Sequence, residues 1–267
     1  MDGVWPPTLA HIVNFVLYLA SKQLSSNTVQ SYLAGLSFFI KCSGNVDHTG
    51  AFIVKKLIEG MRRTGVHSMK RAPITLHNLI HIIRILPNIC SSSSESELFA
   101  ALFSFTFFGF FRVGELTVTD RLSSSKIVAL QDIEINSSSI RVNLRFSKTD
   151  QYGVGCSIQI PNCQKNACIC PVRLVQKYLL IRPHCPGPLF IHFNHSPVTR
   201  YQFAAVLRKA LQFLNLDSTR IKTHSFRIGA ATWAASEGCS NETIQSLGRW
   251  RSGVFQRYIR VPVSSML

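Results

Sequence analysis

Apolar positions along this chain follow a helical period, switch to alternation, and then return to the helical period. Thr8 stands where a capping hydroxyl belongs, and Ile12, Phe15, Val16 and Leu19 follow at three- and four-residue steps, predicting an amphipathic helix. Ser25, Ser26 and Asn27 interrupt it, and Val29, Tyr32, Leu33, Leu36 and Ile40 predict a second helix over 28–41. A loop at 45–49 precedes Phe52, Ile53, Leu57 and Met61, a third helix that runs out at Arg62-Arg63. The segment 64–73, TGVHSMKRAP, is short of large apolar side chains and holds Gly, Pro, Lys70 and Arg71. It reads as a basic linker, dividing the chain into a small helical domain over 1–70 and a larger one over 71–267.

The second domain opens with Thr75 capping a helix through Leu86, where Pro87 is expected to stop it. A serine run at 91–94 leads into an apolar helix over 95–112, which contains the stretch LFAALFSFTFFGFF at 98–111. Those 14 residues fall short of the roughly 20 that a membrane span needs, so they read as a buried helix. The period then drops to two. Residues 140–147 (IRVNLRFS) and 156–160 (CSIQI) alternate apolar and polar, 132–135 is a shorter candidate, and 137–139 with 149–155 supply turns. Helices are expected again over 172–181, 199–214, 224–237, 242–247 and 253–260. The fold class is mainly α, with a small three-stranded antiparallel β-meander set into the second domain.

Charge narrows the function. The chain has 267 residues with 29 Lys+Arg against 13 Asp+Glu, a formal net charge of +16, while 46% of residues are hydrophobic. That apolar share excludes a disordered basic tail and suffices for one or two cores. A pI near 9.9 points to a polyanionic partner, most often nucleic acid, although charge alone also admits a basic ribosomal or membrane-surface protein. Eight cysteines without a signal-peptide-like leader read as reduced thiols of an intracellular chain. Cys163, Cys168, Cys170, His184, Cys185, His192 and His195 cluster along the sequence, yet their spacing matches no CxxC knuckle, so no metal is expected. The phenylalanines of 99–111 read as core and not as a base-stacking platform.

The densest candidate chemistry lies in three short runs near the C-terminus: His224-Ser-Phe-Arg227, Leu247-Gly248-Arg249-Trp250 and Tyr258-Ile-Arg260. On a helix His224 and Arg227 share a face and can offer a phosphate a base or donor beside a bidentate clamp; a lone HxxR is equally what a solvated basic helix displays. Arg112 ends the apolar run with Glu115 three residues on, either a surface ion pair or an arginine held in one rotamer for a substrate. Lys148 stands at the tip of the expected hairpin, where lysines are ordinarily solvated. Arg62, Arg63, Lys70 and Arg71 flank the linker, where they can meet the phosphates of a duplex without specifying its sequence.

Taken in order, Arg with Glu three residues on, a hairpin Lys, HxxR, Leu-Gly and a later Tyr resemble the tyrosine recombinase (phage integrase) family. The wording HSFRIGAATWAASEG followed by IQSLGRWRSGVFQRYIR looks like its eukaryotic mobile-element branch, the DIRS-type and Crypton-type recombinases. The resemblance covers nearly the whole chain. It makes 1–70 a helical core-binding (SAM-like) DNA-binding domain and 71–267 a mixed α/β catalytic domain of the DNA breaking-rejoining type.

The resemblance implies a site-specific recombinase or integrase from a mobile element. Tyr258 would attack a DNA phosphodiester, leaving a 3′-phosphotyrosyl link and a free 5′-hydroxyl. Arg112, held by Glu115, and Arg227 would clamp the non-bridging oxygens. Lys148 would protonate the departing oxygen, and His224 would accept the tyrosine proton or bond the phosphate. A phenol of ordinary pKa about 10 needs such help at neutral pH, and guanidinium forks match phosphate oxygens as lysine does not. The implied partner is double-stranded DNA, with self-association on it as dimer or tetramer, in the nucleus, with no cofactor, metal or membrane. Two positions depart from the family pattern. Its sixth catalytic position lies nine residues before the tyrosine and is usually His or Trp; here Arg249 is nine before Tyr258 and Trp250 eight before, and either can bond a phosphate. Only nine residues follow Tyr258, fewer than the C-terminal helix that several members exchange between protomers. The alternative readings are a catalytically inactive or domesticated DNA-binding copy and a type IB topoisomerase-like nicking-closing enzyme.

Overall fold

The computed structural model describes residues 5–64, 71–119, 126–146, 153–163 and 166–260, which form two compact units, Met1–Met69 and Lys70–Leu267. The first unit holds three helices, α1 (Leu9–Ser21), α2 (Ser26–Cys42) and α3 (Phe52–Thr64). The Thr8 hydroxyl caps α1 by accepting the His11 N–H at 3.3 Å, and Ser25 does the same for α2 from Thr28 at 3.2 Å. Because Ser25 is the cap, α2 starts earlier than the apolar pattern alone suggests. Ile12, Val16, Leu19, Val29, Leu33, Ile40, Val54 and Ile58 make the core. Phe52 and Ile53, expected on the apolar face of α3, are exposed instead, and Val54 and Ile58 turn inward.

The second unit is built on α5 (Ser93–Phe108), with α4 (Leu76–Ile89), α6 (Pro171–Ile181) and α8 (Ser225–Ser236) packed against it. Every residue from 98 to 111 is buried, the arrangement that a helix apolar all round requires. α7 (Arg200–Phe213) packs on α4, and α9 (Asn241–Gly248) on α8. The meander is present: β1 (Ile133–Ile135), β2 (Ser139–Leu144) and β3 (Cys156–Pro161) run antiparallel in chain order. Ile140 faces Ile160 and Val142 faces Ile158 across β2 and β3, and these four side chains join the core. The fold is the expected one, mainly helical with a single three-stranded antiparallel sheet among the described residues.

Three boundaries differ from the sequence expectation, each for a local reason. Pro87 does not stop α4; it sits in the last turn, where one lost N–H is tolerated, and Cys90 N–H closes the helix on the Leu86 carbonyl at 2.9 Å. α5 ends at Phe108 and not at Arg112, because Phe110 turns left-handed at φ 52° and its N–H bonds the Phe107 carbonyl. The stretch expected as a helix over 253–260 is a single 3₁₀ turn, Gly253–Arg257.

Candidate active site

The site grows from the end of α5. Beyond the left-handed Phe110, Arg112 is extended and the chain makes one 3₁₀ turn, Val113–Glu115. That turn brings the Glu115 carboxylate back onto Arg112, whose backbone N–H and Nη1 donate to Oε2 and Oε1 at 2.9 and 3.0 Å. Glu115 is nearly buried, while 24% of the Arg112 side chain stays open to solvent. One arginine is thus held in a fixed rotamer with part of its fork free.

Arg227, in the first turn of α8, is only 1% exposed. Its Nη1 donates to the Phe110 carbonyl at 2.5 Å and its Nη2 to the Gly248 carbonyl, and the Trp250 indole lies against its guanidinium at 4.3 Å. No carboxylate pairs with it among the described residues. Burial, then the neighbouring Arg112 and Arg249 charges, lower its pKa to about 9. It is still a cation at neutral pH, buried and without a carboxylate counter-ion among the described residues.

His224 directly precedes α8 and shares its ring contacts with Tyr258, centroid to centroid 5.1 Å at 62°. Burial first, then Arg71, Arg227 and Arg112, lower the His224 pKa to about 4, so the imidazole is neutral at physiological pH. On its other side Tyr258 meets Trp250 at 5.1 Å and 49°. Gly248 makes that contact possible, since a Cβ there would collide with the Trp250 ring. Gly229 serves the same helix, because a Cβ there would strike the Ile74 carbonyl that lies against α8. Tyr258 thus touches His224 and Trp250, Trp250 touches Arg227, and Arg112 is near enough to act on both Arg227 and His224.

Residues 121–263 match the model of the phage integrase family. The chain belongs to that family. Over 95% of its length it is 26% identical to an integrase/recombinase xerD homolog of Selenomonas ruminantium, covering 74% of that protein. Its fold is similar to that of the Tn1549 transposon integrase in complex with circular intermediate DNA (TM-score 0.66, 14% identity, 97% of this chain and 83% of that one). It is also similar to the XerH site-specific recombinase bound to a palindromic difH substrate (TM-score 0.65, 14% identity, 97% and 68%) and to a lambda integrase dimer bound to a core site (TM-score 0.59, 13% identity, 97% and 68%). As a member of this family the chain is a tyrosine recombinase, an enzyme that cleaves and rejoins DNA.

In this tyrosine recombinase Arg249 and Trp250 occupy different environments. Arg249 closes α9 in the left-handed conformation (φ 56°) and points inward. Its Nη2 reaches Glu115 Oε2 at 3.1 Å and the Phe110 carbonyl at 2.9 Å, and its guanidinium lies over Phe111. Trp250 faces Arg227 and Tyr258. Lys148 and Lys70 lie outside the described residues. Arg62 and Arg63 are exposed in the last turn of α3, where Arg62 Nη2 donates to Gln30 Oε1 at 2.9 Å. Arg71 is exposed at the start of the second unit and near enough to act on His224.

Sequence reasoning missed a basic groove lined by Arg71, Arg200, Arg208 and Lys222, with Leu207, Leu211 and Ile221 also facing it. None of those four cations pairs with a carboxylate among the described residues. The signal was present in α7, where Arg200, Ala204, Leu207, Arg208 and Leu211 repeat at helical spacing and so share one face. Among the described residues no three His, Cys, Asp or Glu side chains gather as a metal site needs, and Cys170 is buried with its thiol on Asn162 Oδ1 at 2.8 Å.

Proposed function

We propose that this recombinase cuts and reseals DNA through a 3′-phosphotyrosyl link on Tyr258, as a site-specific recombinase or integrase of a eukaryotic mobile element acting in the nucleus. The observation that carries the proposal is Arg227: a guanidinium 1% exposed, with carbonyls and no carboxylate for partners among the described residues, near the partly open fork of Arg112. A buried cation without a counter-ion is costly. A phosphodiester in the space bounded by Arg112, Arg227, His224 and Tyr258 supplies the missing charge.

The step balances within the site. The Tyr258 phenolic oxygen forms a bond to phosphorus while the bond from phosphorus to the 5′ oxygen breaks. The phenolic proton passes to the neutral His224, and the departing oxygen takes a proton from Lys148. Arg112 and Arg227 hold the non-bridging oxygens as charge builds on them. Trp250, which lies against Arg227 and Tyr258, fills the sixth position. Arg249 braces Glu115 instead of meeting the substrate. Attack of a 5′-hydroxyl on the phosphotyrosine reverses the step and reseals the strand. The bond energy is kept throughout.

The first unit, 1–70, serves as the core-binding DNA-binding domain and 71–267 as the catalytic domain. Arg62, Arg63, Lys70 and Arg71, together with the groove of Arg200, Arg208 and Lys222, meet backbone phosphates, and two or four copies assemble on the DNA. The DNA-bound state of the recombinases that share this fold supports double-stranded DNA as the partner. The test is an SDS-trapped complex assay on supercoiled plasmid, comparing wild type with Tyr258→Phe. A covalent adduct attached through the DNA 3′ end in wild type and absent in Tyr258→Phe is the expected result. No adduct, with salt-sensitive DNA binding intact on the parent element's own terminal sequences, would make the chain an inactive DNA-binding copy.

A further inference from the structure

The phosphate-holding side chains and the nucleophile stand on very different supports. Arg227 rides on a buried helix, α8, while Tyr258 follows a five-residue 3₁₀ turn and is itself only partly buried. The His224 and Trp250 rings flank the phenol at 62° and 49°, contacts that reach the ring and not the backbone that carries it. A displacement of about 1 Å at a reacting atom can cost on the order of a hundredfold in rate, so some group must fix the Tyr258 backbone against α8.

Thr232 meets that need. It lies on α8, five residues after Arg227 and half-buried. A threonine in a helix ordinarily gives its hydroxyl proton to the carbonyl four residues back and leaves its oxygen lone pairs to solvent. Thr232 Oγ1 does make that bond, to the Ile228 carbonyl at 2.8 Å. Its oxygen also accepts the backbone N–H of Arg260 at 3.1 Å, and the Tyr258 carbonyl lies within 3.3 Å as a second acceptor for the same proton. These contacts link positions 26 and 28 residues apart in sequence. A helix-surface threonine has no such reach.

We propose that Thr232 is a positioning residue for Tyr258, its hydroxyl tying the backbone of residues 258–260 to the helix that carries Arg227. The inference rests on Tyr258 as the nucleophile. The tether sets the distance between the attacking oxygen and the clamped phosphate without touching the substrate.

Two variants of the full chain separate this from simple packing. Thr232→Val keeps the shape and removes the hydroxyl; Thr232→Ser keeps the hydroxyl and removes a methyl. The first readout needs no activity. Trypsin cuts the Arg257–Tyr258 bond when the segment opens, and removal of the tether in Thr232→Val should speed that cut about five- to tenfold, with Thr232→Ser close to wild type. The second readout is the SDS-trapped adduct. Thr232→Val should form it about ten- to a hundredfold more slowly at unchanged DNA affinity, and Thr232→Ser should restore the rate. Wild-type nicking and adduct rates in Thr232→Val, or a Thr232→Ser variant no better than Thr232→Val, overturn the proposal. Faster nicking in Thr232→Val alongside a wild-type protein that forms no Tyr258-dependent adduct overturns the nucleophile reading, and the positioning role with it, while the tether stands.

Discussion

Arg227 and Arg249 donate to one acceptor, the carbonyl oxygen of Phe110, at 2.5 and 2.9 Å. Their remaining contacts divide their roles. Arg249 pairs with Glu115 and lies over the Phe111 ring, while its Nε and Nη1 are buried without a hydrogen-bond partner among the described residues, and we expect it to act as part of the frame. Arg249→Met should cost roughly 2 kcal/mol, less than the loss of a sole buried partner, because Glu115 keeps Arg112 to pair with. Calorimetry should find the melting temperature down by about 4–8 °C, with DNA affinity unchanged. A variant that melts like wild type and binds DNA more weakly would make Arg249 a phosphate ligand after all.

Arg227 should behave in the opposite way. Millimolar inorganic phosphate is expected to raise the melting temperature of the wild-type protein, since an anion that binds only the folded state stabilises it. Arg227→Met should lose that protection. Arg227→Lys keeps the charge without the fork and should lower adduct formation by about 10²- to 10³-fold. Equal protection of wild type and Arg227→Met by phosphate would place the anion elsewhere.

His224 gives a pH signature with a definite sign. Burial, with Arg71, Arg227 and Arg112 nearby, lowers its pKa from 6.5 to about 4. The unfolded chain takes up this proton as pH falls below its ordinary value, and the folded chain does not until about 4. The stability associated with His224 is therefore present above that window and is lost as pH falls through it. Melting curves of wild type and His224→Gln from neutral to acid pH should converge in that range, and parallel curves would contradict the assignment.

The groove beside α7 should report through salt. Arg200→Ala with Arg208→Ala removes two of its four cations. The slope of log affinity against log salt should become shallower by about 0.9 for each phosphate that the groove ceases to neutralise, at an unchanged melting temperature because both side chains are exposed. An unaltered slope would remove the groove from the DNA-binding surface.

Gly248→Ala tests the Trp250 contact. The added Cβ has no room beside the indole, so Trp250 must leave Arg227 and Tyr258. Adduct formation should fall by about tenfold or more, and the displaced indole should show a red-shifted emission. A variant with wild-type emission and wild-type cleavage would remove Trp250 from the site.

Much of this was legible in the sequence because it rests on periodicity. The all-round apolar run of α5 announced its burial, and the alternation at 140–144 announced β2. The site residues could be named in order, yet their relations could not. Glu115 behind Arg112 follows from three-residue spacing, whereas Glu115 bound to Arg249 depends on where α9 ends in space. Nothing in the residue types distinguishes Arg249 from Trp250 as the side chain facing Tyr258. The left-handed turn at Arg249 decides it, and a left-handed arginine is not something propensity foretells. The same holds at Phe110, whose backbone carbonyl carries no side-chain signature at all.

That carbonyl has a consequence for the life of the chain. The bonds it accepts join residues 117 and 139 apart in sequence, so the arginine cradle exists only after residues 227–249 have closed onto the turn at Phe110. The basic side chains on the surface, by contrast, carry their charge from the moment they are synthesised. A partly folded copy can therefore cling to DNA but holds no assembled cutting site. The cradle therefore waits on the pairing of α8 and the end of α9 with the turn after α5.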